Sequence, residues 1–213
     1  MSSNPQLLSE LLRPQQLGDI TLPDETLQRL QRMVESGSIM NLIFYGKPGA
    51  GKTSAARVII DVVNGKANAL ECNGSLASGV GYVRDKIEQW ASHRGMFGGP
   101  KICFVDEADG LSVAAQASLR YVIENKHHCR FLFTANNIGK LSPALQSRMM
   151  PLCFDIATSD TEGVVKRITA RYEVRLSELG VKFDLKRLRE IVGIYYPDFR
   201  AIANNFQFEF GLS

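Results

Sequence analysis

The segment Gly46-Lys47-Pro48-Gly49-Ala50-Gly51-Lys52-Thr53 fits the pattern G-x-x-x-x-G-K-[ST] at every required place. Glycines at these places let successive backbone N–H groups turn inward around phosphate oxygens, and a helix opening directly after them points its positive end at the same charge. Lys52 would reach the outer phosphates and the Thr53 hydroxyl would ligate magnesium, with Ser54 following as the next residue able to touch the phosphates. Further along, Lys101-Ile102-Cys103-Phe104-Val105-Asp106-Glu107 is an apolar run that ends in two carboxylates. Asp106 would bind magnesium through water, and Glu107 would orient or deprotonate a water attacking the outer phosphate. A glutamate at that place favours hydrolysis over simple nucleotide binding. The chemistry implied is magnesium-dependent handling of a nucleoside triphosphate, with ATP the expected nucleotide.

The rest of the chain supplies the elements that must hold these groups. Five short apolar runs read as buried strands: Asn41–Tyr45, Ala67–Cys72, Lys101–Asp106, Arg130–Ala135 and Met150–Phe154. Helical patterns lie between them, at Asp24–Ser36, Gly51–Asn64, Gly79–His93 and Ser112–Asn125. Strand alternating with helix predicts an α/β fold with a five-stranded parallel sheet. After about residue 157 the strands stop. Three helical segments follow, at Asp160–Leu179, Asp184–Tyr195 and Pro197–Phe210, with Gly180 as a stop and Asp184 and Pro197-Asp198 as starts. The spacing predicts a nucleotide-binding domain over 1–157 and a small three-helix lid over 158–213.

Composition sets the outer limits. The 213 residues are 45% hydrophobic and 22% charged, enough for a sizeable core, and no stretch is low in complexity. A net charge of +3 proves no nucleic-acid partner, although 25 cations against 22 anions leave room for a local basic face. The four cysteines have no CxxC spacing, and three of them sit inside apolar runs as small buried thiols. No apolar run approaches the roughly 20 residues needed to span a bilayer, so no membrane partner is expected. Free thiols and the lack of an export signal point to the cytoplasm. His93, His127 and His128 show no ligand spacing and read as surface or helix-end residues.

From Arg13 to the last helix, the motifs resemble the AAA+ ATPase subunits of sliding-clamp loaders, of the replication factor C small-subunit and tailed-phage type. Leu12-Arg13-Pro14 with Asp19-Ile20 is similar to the family's N-terminal box, which implies that Arg13, Pro14 and Ile20 line the adenine pocket. Leu70–Ser75 with Val83-Arg84, and Asp106–Asp109 with Ala115–Arg120, resemble the stretch between the two nucleotide motifs and the block around the second. Thr134-Ala135-Asn136-Asn137 is similar to the first sensor, so Asn136 would bond the attacking water or the outer phosphate. Leu145-Gln146-Ser147-Arg148 resembles the block carrying an arginine finger, which implies that Arg148 acts in trans on a neighbouring subunit's ATP. Pro197-Asp198-Phe199-Arg200 matches the second sensor, placing Arg200 on the same chain's outer phosphate.

The resemblance implies a DNA-acting ATPase that works with other loader subunits, in a hetero- or homo-oligomer, on a sliding clamp and primer–template DNA. ATP binding would grip clamp and DNA, and hydrolysis would release them. Ser75, Arg84 and Ser112 match positions that follow the DNA phosphate backbone; a plain helix cap or solvated charge is the competing reading for each. Tyr82 and Trp90 read as helix packing. Two rivals share the motifs: another DNA-acting AAA+ ATPase, such as a Holliday-junction motor or helicase loader, and a regulatory nucleotide-binding module without useful turnover. Localisation would be the host cytoplasm for a phage protein or the nucleus for a eukaryotic one. The sequence departs from the pattern at Met149, where the family usually has cysteine, and in lacking the zinc-binding cysteines of bacterial loader subunits. It also ends at Ser213, before the helical collar that family members carry.

Overall fold

A computed structural model describes residues 7–64, 68–76, 78–93, 95, 100–155 and 161–211. The core is one parallel sheet of five strands: β1 (Leu42–Tyr45), β2 (Ala69–Asn73), β3 (Lys101–Asp106), β4 (Cys129–Ala135) and β5 (Met150–Cys153), in the order β2-β3-β4-β1-β5. The central strands are apolar on both faces because a cluster of buried side chains covers each. Ile43, Cys103, Val105, Phe131 and Phe133 face one cluster, and Leu42, Phe44, Ile102, Phe104 and Leu132 face the other. That double burial is why these runs show no alternation in sequence. β5 departs from the expectation of burial. It bonds to β1 alone and leaves Met150, Pro151 and Cys153 exposed. An edge strand tolerates a proline, which has no N–H to give to a ladder.

Helix α2 (Asp24–Glu35) leads into β1, and α3 (Lys52–Asn64), α6 (Val113–Asn125) and the short α7 (Pro143–Gln146) join strands. A four-residue α1 (Leu8–Leu11) precedes them. The helix expected over Gly79–His93 is broken into α4 (Val80–Tyr82), a π-helical stretch (Val83–Glu88) and α5 (Gln89–Ser92). Its Tyr82 and Trp90 pack on the first core cluster, as read from the sequence. Lys101, His128 and Cys129 meet carbonyls at its C-terminal end, where His93 also bonds the Gln89 carbonyl.

The last three helices are α8 (Thr161–Glu178), α9 (Leu185–Tyr195) and α10 (Phe199–Phe210). α8 stops as the sequence predicts. Gly180 takes φ 70°, and the N–H groups of Gly180 and Val181 return to Ser177 and Leu176 in a Schellman turn. Asp184 caps α9 by accepting from Lys186 and Arg187. Asp198 caps α10, accepting from Arg200 and Ala201, so this helix begins two residues later than the Pro197 start expected.

These helices enclose a third apolar cluster of their own, with Tyr172 and Phe206 edge to face at 5.2 Å. Leu8 and Leu12 complete that cluster, so the N-terminal segment packs on the last three helices although the sequence reading groups it with the sheet. The break expected near residue 157 lies outside the described residues. Among the described residues no helix is long and apolar enough to cross a membrane.

Candidate nucleotide site

β1 delivers the chain to the sheet's carboxyl edge, where Gly46, Gly49 and Gly51 take φ of 141°, 78° and 90°. Only glycine enters that region without strain, and the resulting loop wraps ahead of α3. Lys52, the first residue of α3, is 7% exposed and donates to the carbonyls of Gly46 and Lys47, both at 2.7 Å, and to Asn136 Oδ1 at 3.0 Å. Those three bonds use all of its donors. Burial pushes its ammonium below the usual lysine range, while Asp155, Asp109 and Asp106 pull it back up.

β3 and β4 bring the remaining chemistry to the same edge. Thr53 Oγ1 donates to Asp106 Oδ1 at 2.9 Å, and Thr134 Oγ1 donates to the same oxygen at 2.5 Å. A hydroxyl and a carboxylate in contact form an oxygen donor set that suits a hard cation, so Thr53 and Asp106 fit magnesium. Glu107 sits in the left-handed region at φ 53°, the one described non-glycine residue with positive φ. Such a conformation costs about 1–3 kcal/mol and collects at functional turns. It lifts the Glu107 carboxylate off the strand end into the open, while its N–H donates to Thr134 Oγ1 at 2.9 Å.

Around these groups lies a cavity of about 470 Å³. Its wall includes Pro48, Gly49, Ala50, Gly51, Lys52, Thr53, Ser54, Asp106, Glu107 and Asn136. Arg13, Pro14 and Ile20 line it from the N-terminal strap, and Arg200 from the lid. Gly46 and Lys47 lie behind the wall, meeting Lys52 through their carbonyls.

Arg148 is not brought to this cavity. Its guanidinium binds Glu124 of α6, with Nε–Oε1 at 2.6 Å, and the Ala144 carbonyl. Ser75, Arg84 and Ser112 are exposed and also lie off the cavity wall. The first and third belong to adjoining turns, since a Cβ on Gly110 would meet Ser75 Oγ at 2.6 Å and Ser112 N–H donates to Ser78. Ser112 caps α6 by accepting from Ala115.

Several residues to which the motif reading gave no role of their own shape the site. Asp155, just after β5, accepts the Lys47 N–H at 2.8 Å and steadies the start of the loop. Asp109 accepts the N–H groups of Asn136 and Asn137, fixing the turn that carries Asn136. Asn73 places Nδ2 3.5 Å from Glu107 Oε2, and its Oδ1 accepts from Ser75 and Leu76. The position of that exposed turn and the direction of Glu107 therefore share one amide. The Asn73 bonds to Ser75 and Leu76 are local, whereas the other contacts join segments far apart in the chain and leave no local pattern.

The start of α10 touches the glycine loop directly. Phe199 N–H donates to the Gly49 carbonyl at 3.0 Å, and a Cβ on Gly49 would fall 2.0 Å from Asp198 Oδ1. Gly49→Ala is expected to strain the loop and push the start of α10 away. ATP-analogue affinity should fall at least about tenfold, in line with the roughly 1–3 kcal/mol of backbone strain, while the far-ultraviolet spectrum is kept. Wild-type affinity in a titration would refute this role for the loop–lid contact.

The chain is 34% identical over 209 residues to a replication factor C small subunit of Archaeoglobus fulgidus, covering 96% of this chain and 64% of that protein. It is 39% identical over 144 residues to replication factor C subunit 3 of Saccharomyces cerevisiae, covering 65% of this chain and 42% of that one. The chain thus spans less than two thirds of the length of either relative. Among solved structures, RuvB of Thermotoga maritima, described as a Holliday junction branch migration motor, superposes with a TM-score of 0.63 at 20% identity. That match covers 95% of this chain and 76% of RuvB; a RuvB variant reaches 0.71 at 21%, covering 92% and 64%. Likeness at that level shows the fold. Residues 42–154, more than half of the chain, match the ATPase family associated with various cellular activities, and the chain belongs to that AAA family.

Proposed function

We propose that the chain is an ATP-hydrolysing subunit of a DNA sliding-clamp loader. The observation that carries the reading is the gathering of the motif residues around one cavity while Arg148 is held away from it by Glu124. A site furnished with Lys52, Thr53, Asp106, Glu107, Asn136 and Arg200 would await one more cation from a neighbour. Identity to a replication factor C small subunit over 96% of the chain, and to a replication factor C subunit 3 over 65%, supports the loader assignment over other members of the family.

The residues divide the work by position. Backbone N–H groups of the loop hold the β- and γ-phosphates, Lys52 turns to them by giving up its bonds to the Gly46 and Lys47 carbonyls and Asn136, and Arg200 closes from the C-terminal helices. Thr53 and Asp106 would hold magnesium, which supplies positive charge against the phosphate oxygens when bound. Glu107 takes a proton from water as the water oxygen attacks the γ-phosphorus, and the bond to the ADP oxygen breaks in line. Asn136 orients that water or a γ-oxygen. Arg13, Pro14 and Ile20 wall the base. Ser75, Arg84 and Ser112, together with the N-terminus of α6, form the face offered to a DNA phosphate backbone.

Turnover by the chain, assembled with its partner subunits, is expected to rise at least about tenfold when primed DNA and a sliding clamp are added together. Equal rates with and without them would overturn the loading role. Stimulation by a four-way junction in place of primed DNA would reassign the chain to branch migration.

A further inference from the structure

The N-terminal strap is fastened to the lid by a ladder of arginines. Arg167, Arg171 and Arg175 recur every fourth residue of α8 and so share one face. Arg167 pairs with the Asp24 carboxylate, Arg171 donates to the Asp19 carbonyl, and Arg175 Nε donates to the Leu11 carbonyl at 3.2 Å. α10 adds a fourth tie, Gln207 Oε1 accepting the Leu8 N–H at 2.8 Å.

Arg171 is the rung that reaches the nucleotide cavity. It lines that cavity beside Asp19, Ile20 and Thr21, and it also borders a smaller cavity of about 200 Å³ behind them. Its guanidinium lies 5.0 Å from the Tyr172 ring and 5.9 Å from the Phe199 ring. Phe199 in turn bonds the phosphate loop at Gly49. One side chain therefore touches the strap, the buried ring of α8 and the residue where α10 meets the loop.

We propose that Arg171 is the positioning residue that sets recognition of the nucleotide base. This rests on the reading of the cavity as an ATP site with the strap as its base wall. The charged donor pins the Asp19 carbonyl, and through it the run from Asp19 to Thr21, at a fixed distance from the phosphate loop. Arginine suits the task because its planar fork bonds the carbonyl while its face lies against aromatic rings; lysine offers a single point charge.

The test compares two ligands that share three phosphates, one carrying the nucleoside and the other lacking it. Binding of ATP and of inorganic triphosphate, each with magnesium, would be measured by competition against a fluorescent ATP analogue. Wild type, Arg171→Met, Arg171→Lys and the exposed lid control Arg189→Met would be compared. Arg171→Met is expected to weaken ATP about tenfold, the size of a lost charged hydrogen bond, and to change triphosphate less than about twofold. Arg171→Lys should recover part of the loss, and Arg189→Met should match wild type. Should the Met variant fail to fold, Arg171→Lys carries the same comparison, with a loss of about threefold confined to ATP.

Equal weakening of both ligands, or of neither, would overturn the proposal and leave the base-wall reading standing. A wild-type chain that binds triphosphate as tightly as ATP would overturn the base-wall reading itself.

Discussion

Glu107→Gln is expected to lower ATP turnover by about two to three orders of magnitude while leaving nucleotide affinity within about twofold, the signature of a lost general base. The geometry argues for that separation. The Glu107 carboxylate stands exposed on a left-handed turn, so an isosteric amide removes basicity without opening a cavity or orphaning a buried group. In the proposed site the phosphates would be met by other groups that line the cavity, Lys52, the glycine loop and Arg200. Gln also keeps an acceptor within reach of Asn73, so the turn at Ser75 and Leu76 is held as before. Single-turnover hydrolysis beside equilibrium binding checks both halves. A rate unchanged from wild type would remove Glu107 from the chemistry. A wild-type rate already negligible in every assembly would favour a regulatory module that binds nucleotide without useful turnover.

Much of this site was readable because its signals are local. The phosphate loop needs its glycines at fixed spacing, and β3 announces itself as an apolar run closed by Asp106 and Glu107. Those constraints act within ten residues of chain, and the expected bounds of β3 match the observed ones. What escaped reading is held by tertiary contact. α1 is four residues long, too short to form on its own merits, and exists because Leu8 and Leu12 fill the lid's apolar cluster. Asp155 and Asp109 look like solvated loop acids until the fold sets them under backbone N–H groups of other segments.

The Pro197-Asp198 start illustrates a finer limit. Both residues are sound helix openers, and the choice falls to Asp198 because its carboxylate collects two free N–H groups while Phe199 N–H goes to Gly49. The π-helical stretch at Val83–Glu88 carries the same lesson in reverse. Its sequence reads as ordinary helix, and nothing in the residue pattern marks the wider turn on which Arg84 stands.

Arg148→Ala should cost the assembled protein about three orders of magnitude in turnover, the effect of removing an arginine that meets the transferred phosphoryl group. The same substitution should leave nucleotide binding by the single chain unchanged, because Arg148 lies off the cavity wall and its guanidinium is engaged by Glu124 and the Ala144 carbonyl. A partly exposed ion pair of this kind contributes about 0–1 kcal/mol, so its loss should barely move the melting temperature. It is also weak enough for the guanidinium to exchange a carboxylate for a phosphate when a neighbour's site arrives. Mixing supplies the decisive measurement. An Arg148→Ala chain keeps its own phosphate-binding groups but cannot serve a neighbour; a Lys52→Ala chain has a crippled site but a full Arg148. Neither should turn over alone, and together they should recover a measurable share of wild-type activity, because one interface in the mixed assembly holds every group. Recovery would place Arg148 in trans. No recovery, with both variants shown to co-assemble, would return it to the role its contacts already describe, a tie between α7 and α6.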